Sequence, residues 1–271
     1  MAGSNTGTIF QITTWGESHG KGVGVVVDGC PSGLPLSEED IQIYLNRRKP
    51  GQSKYTTPRT EADQVEILSG VFEGHTTGTP ISMIVRNENQ HSKDYSDIAR
   101  CYRPGHADYC FDAKYGFRDY RGGGRSSARE TIGRVAAGAI AAKLLKEMGI
   151  SILTYTKSIG PVTIDPRHFD AAQISQNPVA MPDAHAAKEA QTFLDCCIAQ
   201  QDSSGGIIEC VITGFLPASV IRFLTNWMPV WRKQSFPSVL SKALKSEMDL
   251  PLPLHVDLKI MIPLFLRKTL R

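Results

Sequence analysis

The sequence predicts an α+β fold, and the pattern of its apolar residues is the basis of that prediction. Segments with helical periodicity alternate with strand-like segments, but without the regular repeat of a doubly wound βαβ protein. A β-branched run at residues 23–27 is typical of a buried strand, and residues 127–149 form the strongest helical pattern. A sandwich of β-α-β units fits the same observations.

The first half of the chain contains one helix with clear start and stop signals. Ser37 and Asp40 have the spacing of a capping box, which predicts a helix beginning at this point. Pro50 and Gly51 end it. The predicted strands of this half are residues 9–14, 22–28, 64–69 and 81–86.

A long polar segment, residues 87–125, separates this half from the strongest helix. Segments of this length without periodicity are usually functional or disordered. The helix that follows is predicted to be capped by Ser127, with Glu130 completing a capping box, and to end at Gly149. Its predicted apolar face consists of Ile132, Val135, Ala136, Ala139, Ile140 and Leu144. Further elements are predicted as a strand at 151–158, a helix at 183–201 and a strand at 206–214.

The composition excludes several classes of protein. The chain has 271 residues, with 30 Lys+Arg against 27 Asp+Glu and 41% hydrophobic residues, which argues against a disordered protein. A net charge of +3 gives no support of its own for a nucleic-acid or membrane partner. The sequence has no membrane-spanning apolar run, no signal peptide at its start and no C-x-x-C or zinc spacing among its six cysteines. We therefore expect a cytoplasmic protein with reduced thiols and no metal site.

Two short motifs each contain a histidine in a setting suited to chemistry. In GESHG, His19 lies in a loop between two predicted strands, where glycine allows a ligand to approach closely. Imidazole titrates near neutral pH, so this side chain suits a general acid. In RPGHADY, His106 lies near the anion-binding Arg103, and Asp108 could orient its ring. The alternative for both motifs is an ordinary surface turn.

A glycine- and hydroxyl-rich segment, RGGGRSSARE at residues 121–130, leads directly into the strongest helix. Helix N-termini attract anions, Arg125 and Arg129 add positive charge, and Ser126 and Ser127 add hydroxyl donors. The segment has neither a Walker A nor a G-x-G-x-x-G pattern. Its alternatives are a flexible loop before a capped helix and an RGG-type RNA contact, although a single Arg-Gly-Gly is not a repeat.

A basic cluster, RRKPGQSKYTT, begins at Arg47. Alone, it is explained by basic side chains that complement the C-terminal end of the preceding helix. Together, the four motifs indicate a small substrate with several negative charges, because arginine and histidine bind such groups through charged hydrogen bonds. No Ser-His-Asp or Cys-His arrangement is apparent.

The same motifs, in this order, resemble those of the chorismate synthase family from about residue 8 to residue 218. The segments that carry the resemblance are GESHG, RRKPG, VFEGHTTGTPI, RPGHADY, RDYRGGGRSSARET and VAAGAIA. The resemblance implies a β-α-β sandwich, a homotetramer and a lyase of the shikimate pathway, which leads to the aromatic amino acids. That lyase eliminates phosphate from 5-enolpyruvylshikimate 3-phosphate to give chorismate, with reduced FMN and no net redox change. Some members reduce the flavin with NADPH.

The resemblance also assigns roles to the two histidines and to Arg48, and we add Arg129 as a further candidate for binding an anion. His19 would protonate the departing phosphate, and His106 would protonate the reduced flavin or lie beside it. Arg48 and Arg129 would bind the substrate's anionic groups.

Five residues correspond by the same resemblance to cofactor contacts. Arg125, Ser126 and Ser127 match an FMN-binding segment, and Arg48 and Lys54 match positions that contact NADPH or the substrate phosphate. Many members have arginine where this chain has Lys54, so the positive charge is kept but the bidentate guanidinium is lost.

The resemblance ends near Ala218, where the family continues with further flavin-binding segments and a catalytic aspartate. We therefore divide the chain into an incomplete chorismate synthase-like domain, residues 1–218, and a divergent tail, residues 219–271. The tail fits a shifted reading frame, in which each codon consists of the third base of one codon and the first two bases of the next. By this rule Trp227-Met228-Pro229 must encode Asp-Ala, and Met248-Asp249 must encode Gly. These residues occur in the family's continuation. We expect such a chain to have little or no turnover.

Overall fold

The computed structural model describes residues 4–55, 61–87, 101–103, 106–121, 123–215, 245–249 and 256–264. Within it the chain divides into two compact units, Met1–Leu144 and Leu145–Arg271. Both units combine helices with antiparallel sheets, which confirms the predicted α+β class.

The first unit is built on a five-stranded antiparallel sheet. Its strands and those of a small hairpin are β1 Asn5–Thr6, β2 Gln11–Gly16, β3 Gly22–Asp28, β4 Val65–Ser69, β5 Val71–Phe72, β6 His75–Thr76 and β7 Ile81–Arg86. The sheet order is β1-β2-β3-β7-β4, and β5 pairs with β6. The loop that joins β2 to β3 therefore lies beside the end of β7, where the polar segment begins.

Two helices bury the apolar face of this sheet. They are α1 Glu38–Arg48 and α3 Thr131–Glu147. The core contains alternate residues of β3, as period-two side-chain geometry requires, with Ile41 and Leu45 of α1 and the predicted apolar face of α3. Its fully buried members are Val23, Val25, Val27, Ile41, Leu45, Ile81, Met83, Ile132 and Ile140.

The predicted start of α1 is confirmed. The Ser37 backbone N–H donates to the Asp40 carboxylate at 3.0 Å, which is one half of the capping box. Lys143 Nζ on α3 also lies 2.5 Å from that carboxylate, and its charge-assisted hydrogen bond lowers the pKa of Asp40. One carboxylate thus caps one helix and ties it to another.

The predicted start of α3 is wrong by one short turn. Ser127 caps a 3-10 turn, Ala128–Glu130, and its Oγ accepts from the Arg129 N–H, whereas α3 begins at Thr131. Glu130 completes no capping box, because its carboxylate accepts the Thr14 hydroxyl at 2.7 Å. A long-range contact with β2 thus takes the place of the local one.

The long polar segment contains a helix that no sequence pattern predicted. Helix α2, Asp108–Tyr115, lies within it and ends at Gly116, whose φ of +73° suits glycine. Its aromatic residues are largely exposed, so no apolar periodicity marks it. The residues of the predicted segment at 88–100 lie outside the described part of the chain.

The second unit has its own sheet and core. Its elements are β8 Ser151–Ile159, β9 Val162–Thr163, α4 Ala184–Ala199, β10 Gly206–Phe215, β11 Lys245–Asp249 and β12 Val256–Leu264. The strand order is β11-β12-β10-β8-β9. The predicted strands at 151–158 and 206–214 and the helix at 183–201 are confirmed within one or two residues. Asp183 caps α4, as its carboxylate accepts two backbone N–H groups.

No helix in the described ranges is long and apolar enough to cross a membrane. All six cysteines are free thiols.

Candidate active site

The β2–β3 loop holds His19 inside the protein. The residue is only 4% exposed, and the hydroxyl of Ser18, itself buried, lies 3.1 Å from His19 Nδ1. This burial contradicts the alternative of an exposed surface turn. A buried imidazole fixed at one nitrogen has a defined orientation, which proton transfer to a ligand requires.

Asn87, one residue beyond β7, joins this loop to an arginine. Its Nδ2 donates to the backbone carbonyl oxygens of Glu17 at 2.9 Å and Gly20 at 2.8 Å. Its backbone N–H donates to the carbonyl of Lys21 at 3.2 Å, and its Oδ1 accepts from Nε of Arg129 at 3.0 Å. One half-buried amide thus contacts both ends of the loop that carries the histidine.

Arg129 belongs to a buried cluster of four charged residues. Its Nη1 lies 2.7 Å from Glu61 Oε2 and 3.1 Å from Asp63 Oδ1. Arg48 Nη1 lies 2.6 Å from the other oxygen of Asp63, and its Nε donates to the hydroxyl of Thr131. The two carboxylate side chains are 1% and 0% exposed, so the ion pairs are shielded from solvent.

The cluster has no net charge, and this affects how strongly its arginines can bind an anion. Two guanidinium groups face two carboxylates, so the cluster attracts an anion less than two bare arginines would. Burial lowers the pKa of Arg48, and the charge of Asp63 opposes that effect. Arg129 Nη2 is buried and has no hydrogen-bond partner among the described residues, so this N–H group is the cluster's candidate ligand contact.

Glu61, Asp63 and Asn87 belong to none of the predicted functional motifs. Asp63 adopts a φ of +48°, a left-handed conformation that aspartate tolerates better than most residues. Two acidic residues just before β4 were the available signal, but nothing in the sequence pairs them with arginines far along the chain.

In the RPGHADY segment, Asp108 binds arginines. Arg103 donates to it through its backbone N–H, Nε and Nη2, and Arg118 Nη1 lies 3.1 Å from it. The hydrogen bonds from Arg103 lower the pKa of Asp108 well below its ordinary range, despite burial. His106 is exposed, and its backbone N–H donates to the Arg103 carbonyl. The contacts of Asp108 thus fix the turn that carries the histidine.

The predicted FMN segment is held largely by its own side chains. Arg125 points into the protein and donates to the carbonyls of Gly16 and Thr14 and to the Thr14 hydroxyl at 2.8 Å. Ser126 is exposed and its hydroxyl donates to the Gly123 carbonyl, while Ser127 caps the next turn. Of the three side chains, Ser126 is the one that faces solvent.

Three of the predicted motifs meet around two glycines. The Gly124 carbonyl accepts the Ser18 N–H at 3.5 Å, and Arg103 Nη2 lies 3.8 Å from where a Cβ on Gly123 would be. A Cβ on Gly124 would lie 3.3 Å from the Cβ of Asp119. Burial alone would raise the pKa of Asp119, but its hydrogen bonds to Arg121 and the nearby charge of His19 lower it. The two histidine motifs therefore adjoin one glycine-rich turn.

Lys54 differs from the other predicted residues. It is exposed, and its ammonium lies 5.2 Å from the centre of the Tyr55 ring. Residues 56–57, the end of the RRKPGQSKYTT motif, lie outside the described residues.

Comparison with known proteins matches this chain to one family. A sequence model described as chorismate synthase matches residues 10–220. A chorismate synthase of Agathobacter rectalis is 72% identical over 214 residues, and one of Lachnoclostridium phytofermentans is 67% identical over 220 residues. A solved structure titled "Crystal Structure of Chorismate Synthase" is similar with a TM-score of 0.70 and 25% identity, covering 95% of this chain and 85% of that one.

The matches cover most of this chain but not most of its relatives. The two aligned regions amount to 79% and 81% of this chain, yet only 58% and 60% of the respective relatives. Because the family match extends over far more than half of the sequence, this chain belongs to the chorismate synthase family.

Proposed function

We propose that this chain acts as a lyase on 5-enolpyruvylshikimate 3-phosphate, from which it eliminates phosphate to form chorismate. The observation that carries the proposal is the Asn87 amide, which hydrogen-bonds both the loop of His19 and the guanidinium of Arg129. One side chain thereby joins the loop of the proposed acid to the proposed donor for an oxyanion. Family membership supplies the reaction type.

In the proposed reaction, His19 donates a proton to the departing phosphate. A protonated phosphate is a better leaving group, and an imidazole is well matched to this task near neutral pH. The contact with Ser18 would keep the ring in one orientation. Arg129 would bind a substrate oxygen through its buried Nη2, since an unpaired buried donor gains free energy from a partner.

Reduced FMN is the cofactor that the family implies, and the segment 123–127 fits it in part. Arg125 does not fit as a direct ligand of FMN, because its guanidinium already binds β2 and Ser4. Ser126 fits, because its exposed hydroxyl has lone pairs left to accept a hydrogen bond. We assign FMN contact to Ser126, shaping of the segment to Arg125 and Ser127, and a place beside the flavin to His106. When bound, FMN would supply the reduced ring that the reaction requires.

Two basic residues, Lys54 and Arg48, are the proposed contacts for NADPH. Lys54 is exposed and suits contact with an NADPH phosphate, whereas Arg48 is bound to Asp63 and would have to serve through its remaining donors. We further propose that the protein is cytoplasmic and acts as a homotetramer without a nucleic-acid partner.

A second candidate is a substrate-binding relative that lacks turnover. The specific observation in its favour is the limited length of the match, which is 58% of one relative and ends at residue 220. Such a protein would keep the His19 and Arg129 contacts described above and would bind the phosphorylated substrate without converting it.

An anaerobic assay of the purified chain separates the two candidates. The enolpyruvyl substrate and chemically reduced FMN are supplied, and chorismate absorbance is followed. If the chain is active, H19Q should lower kcat by about 10²–10⁴-fold, the usual contribution of a general acid. The matched control is H75Q, a change at an exposed histidine, which should leave kcat unchanged.

Thermal unfolding with the substrate completes the test. A rise in Tm without turnover supports the inactive relative, because a ligand that binds the folded state stabilises it. If the chain shows no turnover and its Tm does not rise with the substrate, both candidates are overturned.

A further inference from the structure

We propose that Asn87 is a positioning residue that sets the orientation of His19, an inference that rests on the proposed function of that histidine. Asn87 touches neither histidine nor a ligand in its described contacts. It acts on the backbone that carries His19, through carbonyls on both sides of the histidine.

The contacts of Asn87 allow one orientation of its amide. Two backbone carbonyls face Nδ2, and a carbonyl can only accept a hydrogen bond. Nε of Arg129 faces Oδ1, and a guanidinium can only donate. A flipped amide would set oxygen against two oxygens and N–H groups against N–H groups, so all three bonds would be lost together.

The two carbonyls belong to Glu17 and Gly20, which bracket the histidine in the chain. The loop also has its own hydrogen bond, from the Gly20 N–H to the Glu17 carbonyl at 3.1 Å. Neither that bond nor the one from the Ser18 N–H to the Gly124 carbonyl ties the loop to β7. The Asn87 side chain does so, because its residue directly follows β7 and bonds through its own backbone to Lys21.

Arg129 in turn fixes the amide. Its guanidinium is held by the carboxylates of Glu61 and Asp63, so Nε is presented to Asn87 from a rigid, buried group. The chain of contacts runs from two carboxylates through Arg129 and Asn87 to the His19 loop. A group that binds Arg129 is thereby coupled to the histidine.

The test uses the full chain with N87A, which removes both donors without adding charge. Nuclear magnetic resonance follows the pH titration of the His19 ring and the amide exchange of residues 17–21. We expect the titration midpoint of His19 to move and loop exchange to rise about tenfold or more, since lost hydrogen bonds favour local opening. Exchange in α3 should stay unchanged.

A second variant, N87D, retains the acceptor for Arg129 but, when ionised, has no donor for the loop. It should raise loop exchange as N87A does, and it keeps the proposal testable if N87A does not fold. The matched control is N46D, an exposed asparagine on α1 whose Oδ1 accepts from Gln42. This control should change neither the titration nor the exchange.

The outcomes separate this proposal from the proposed function. Unchanged titration and loop exchange in both Asn87 variants would overturn it, as would an equal rise of exchange throughout the first unit. If the native chain turns over, N87A should lower kcat by about tenfold or more with little change in KM, as for an interaction used mainly in the transition state. Absence of turnover in the native chain would count against the proposed activity alone, while the resonance measurements would still decide the role of Asn87.

Discussion

Asp63 joins the two arginines of the buried cluster, because each of its oxygens lies beside a different guanidinium group. We expect D63N to lower the free energy of unfolding by about 3 kcal/mol, since it leaves buried guanidinium charge uncompensated. Asparagine keeps the shape and tolerates the positive φ, so the change tests the charge. Urea unfolding followed by circular dichroism measures the effect.

The matched control for D63N is E66Q on the neighbouring strand. Glu66 pairs with Arg86 at 3.0 Å, but their side chains are 49% and 66% exposed. Water screens such a pair, so E66Q should change the free energy of unfolding by about 1 kcal/mol or less. Equal effects of the two substitutions would contradict the importance of burial in the cluster.

Asp108 should make stability depend on acid pH. Its folded-state pKa is held below the ordinary value by the Arg103 hydrogen bonds. A group with a lowered folded-state pKa stabilises the protein above its ordinary pKa of about 4 and loses that contribution as pH falls below it. D108N should therefore show a shallower loss of unfolding free energy between about pH 5 and pH 2 than the native chain.

Urea unfolding at a series of pH values measures that slope. The control is D112N on the same helix, because Asp112 also pairs with Arg118 but is 30% exposed. D112N should retain most of the native chain's loss of unfolding free energy at acid pH. If D108N loses unfolding free energy at acid pH as steeply as the native chain does, then other carboxylates control acid unfolding.

The sequence revealed the chemical types at the site but not their partners. His19, Arg48 and Arg129 stood out because short motifs contain them. Glu61, Asp63 and Asn87 did not, because their roles depend on contacts between residues from 15 to 70 positions apart. Local pattern carries no information on such pairs.

At the scale of elements, helix α3 packs closely on the first sheet through Gly133. A Cβ at this position would lie 3.0 Å from the Gly24 carbonyl and 3.1 Å from a Thr14 methyl. G133A should therefore destabilise the protein by about 1–3 kcal/mol, as overpacking does.

Another glycine of the same helix supplies the control. A Cβ on Gly138 would meet nothing within 4 Å, and the position is exposed. G138A should stabilise the protein by about 1 kcal/mol, because alanine has the higher helix propensity. Thermal unfolding of both variants should show Tm changes of opposite sign, and a stabilising G133A would contradict the close packing.

Elements with strong local signals were predictable, and those fixed by tertiary contacts were not. The capping residues of α1 and the apolar face of α3 lie within a few positions of one another, so the sequence specified them. Helix α2 lacks a buried apolar stripe, and only its terminal Gly116 signalled it. The predicted capping box at the start of α3 was wrong because Glu130 binds Thr14 on a distant strand.

At the scale of the whole molecule, the tail contributes strands to the second sheet. Strand β12 pairs with β10 from Gly206 opposite Leu264 to Phe215 opposite Val256. Such ladders use backbone groups that almost every residue has, so pairing does not require an evolved sequence. Pro263 lies in this ladder opposite Ile207, although proline has no N–H to donate and weakens a strand pairing.

We therefore retain the prediction that residues after Ala218 are translated out of frame. Resequencing the gene should reveal a base inserted or lost near the codons that follow residue 218, and correcting it should restore the Asp-Ala and Gly codons. An intact frame that encodes the same tail would refute the prediction and would make residues 219–271 a genuine second segment.

The balanced, buried charges around Asp63 have a consequence for work in different buffers. Counter-ions screen charges that face water over about 8 Å at physiological ionic strength, but they act much less on pairs sealed from it. Exposed lysines such as Lys54 should therefore lose their attraction for phosphate as salt is raised. A phosphate contact with buried Arg129 should persist, so the residual binding in concentrated salt reports on the interior of the molecule.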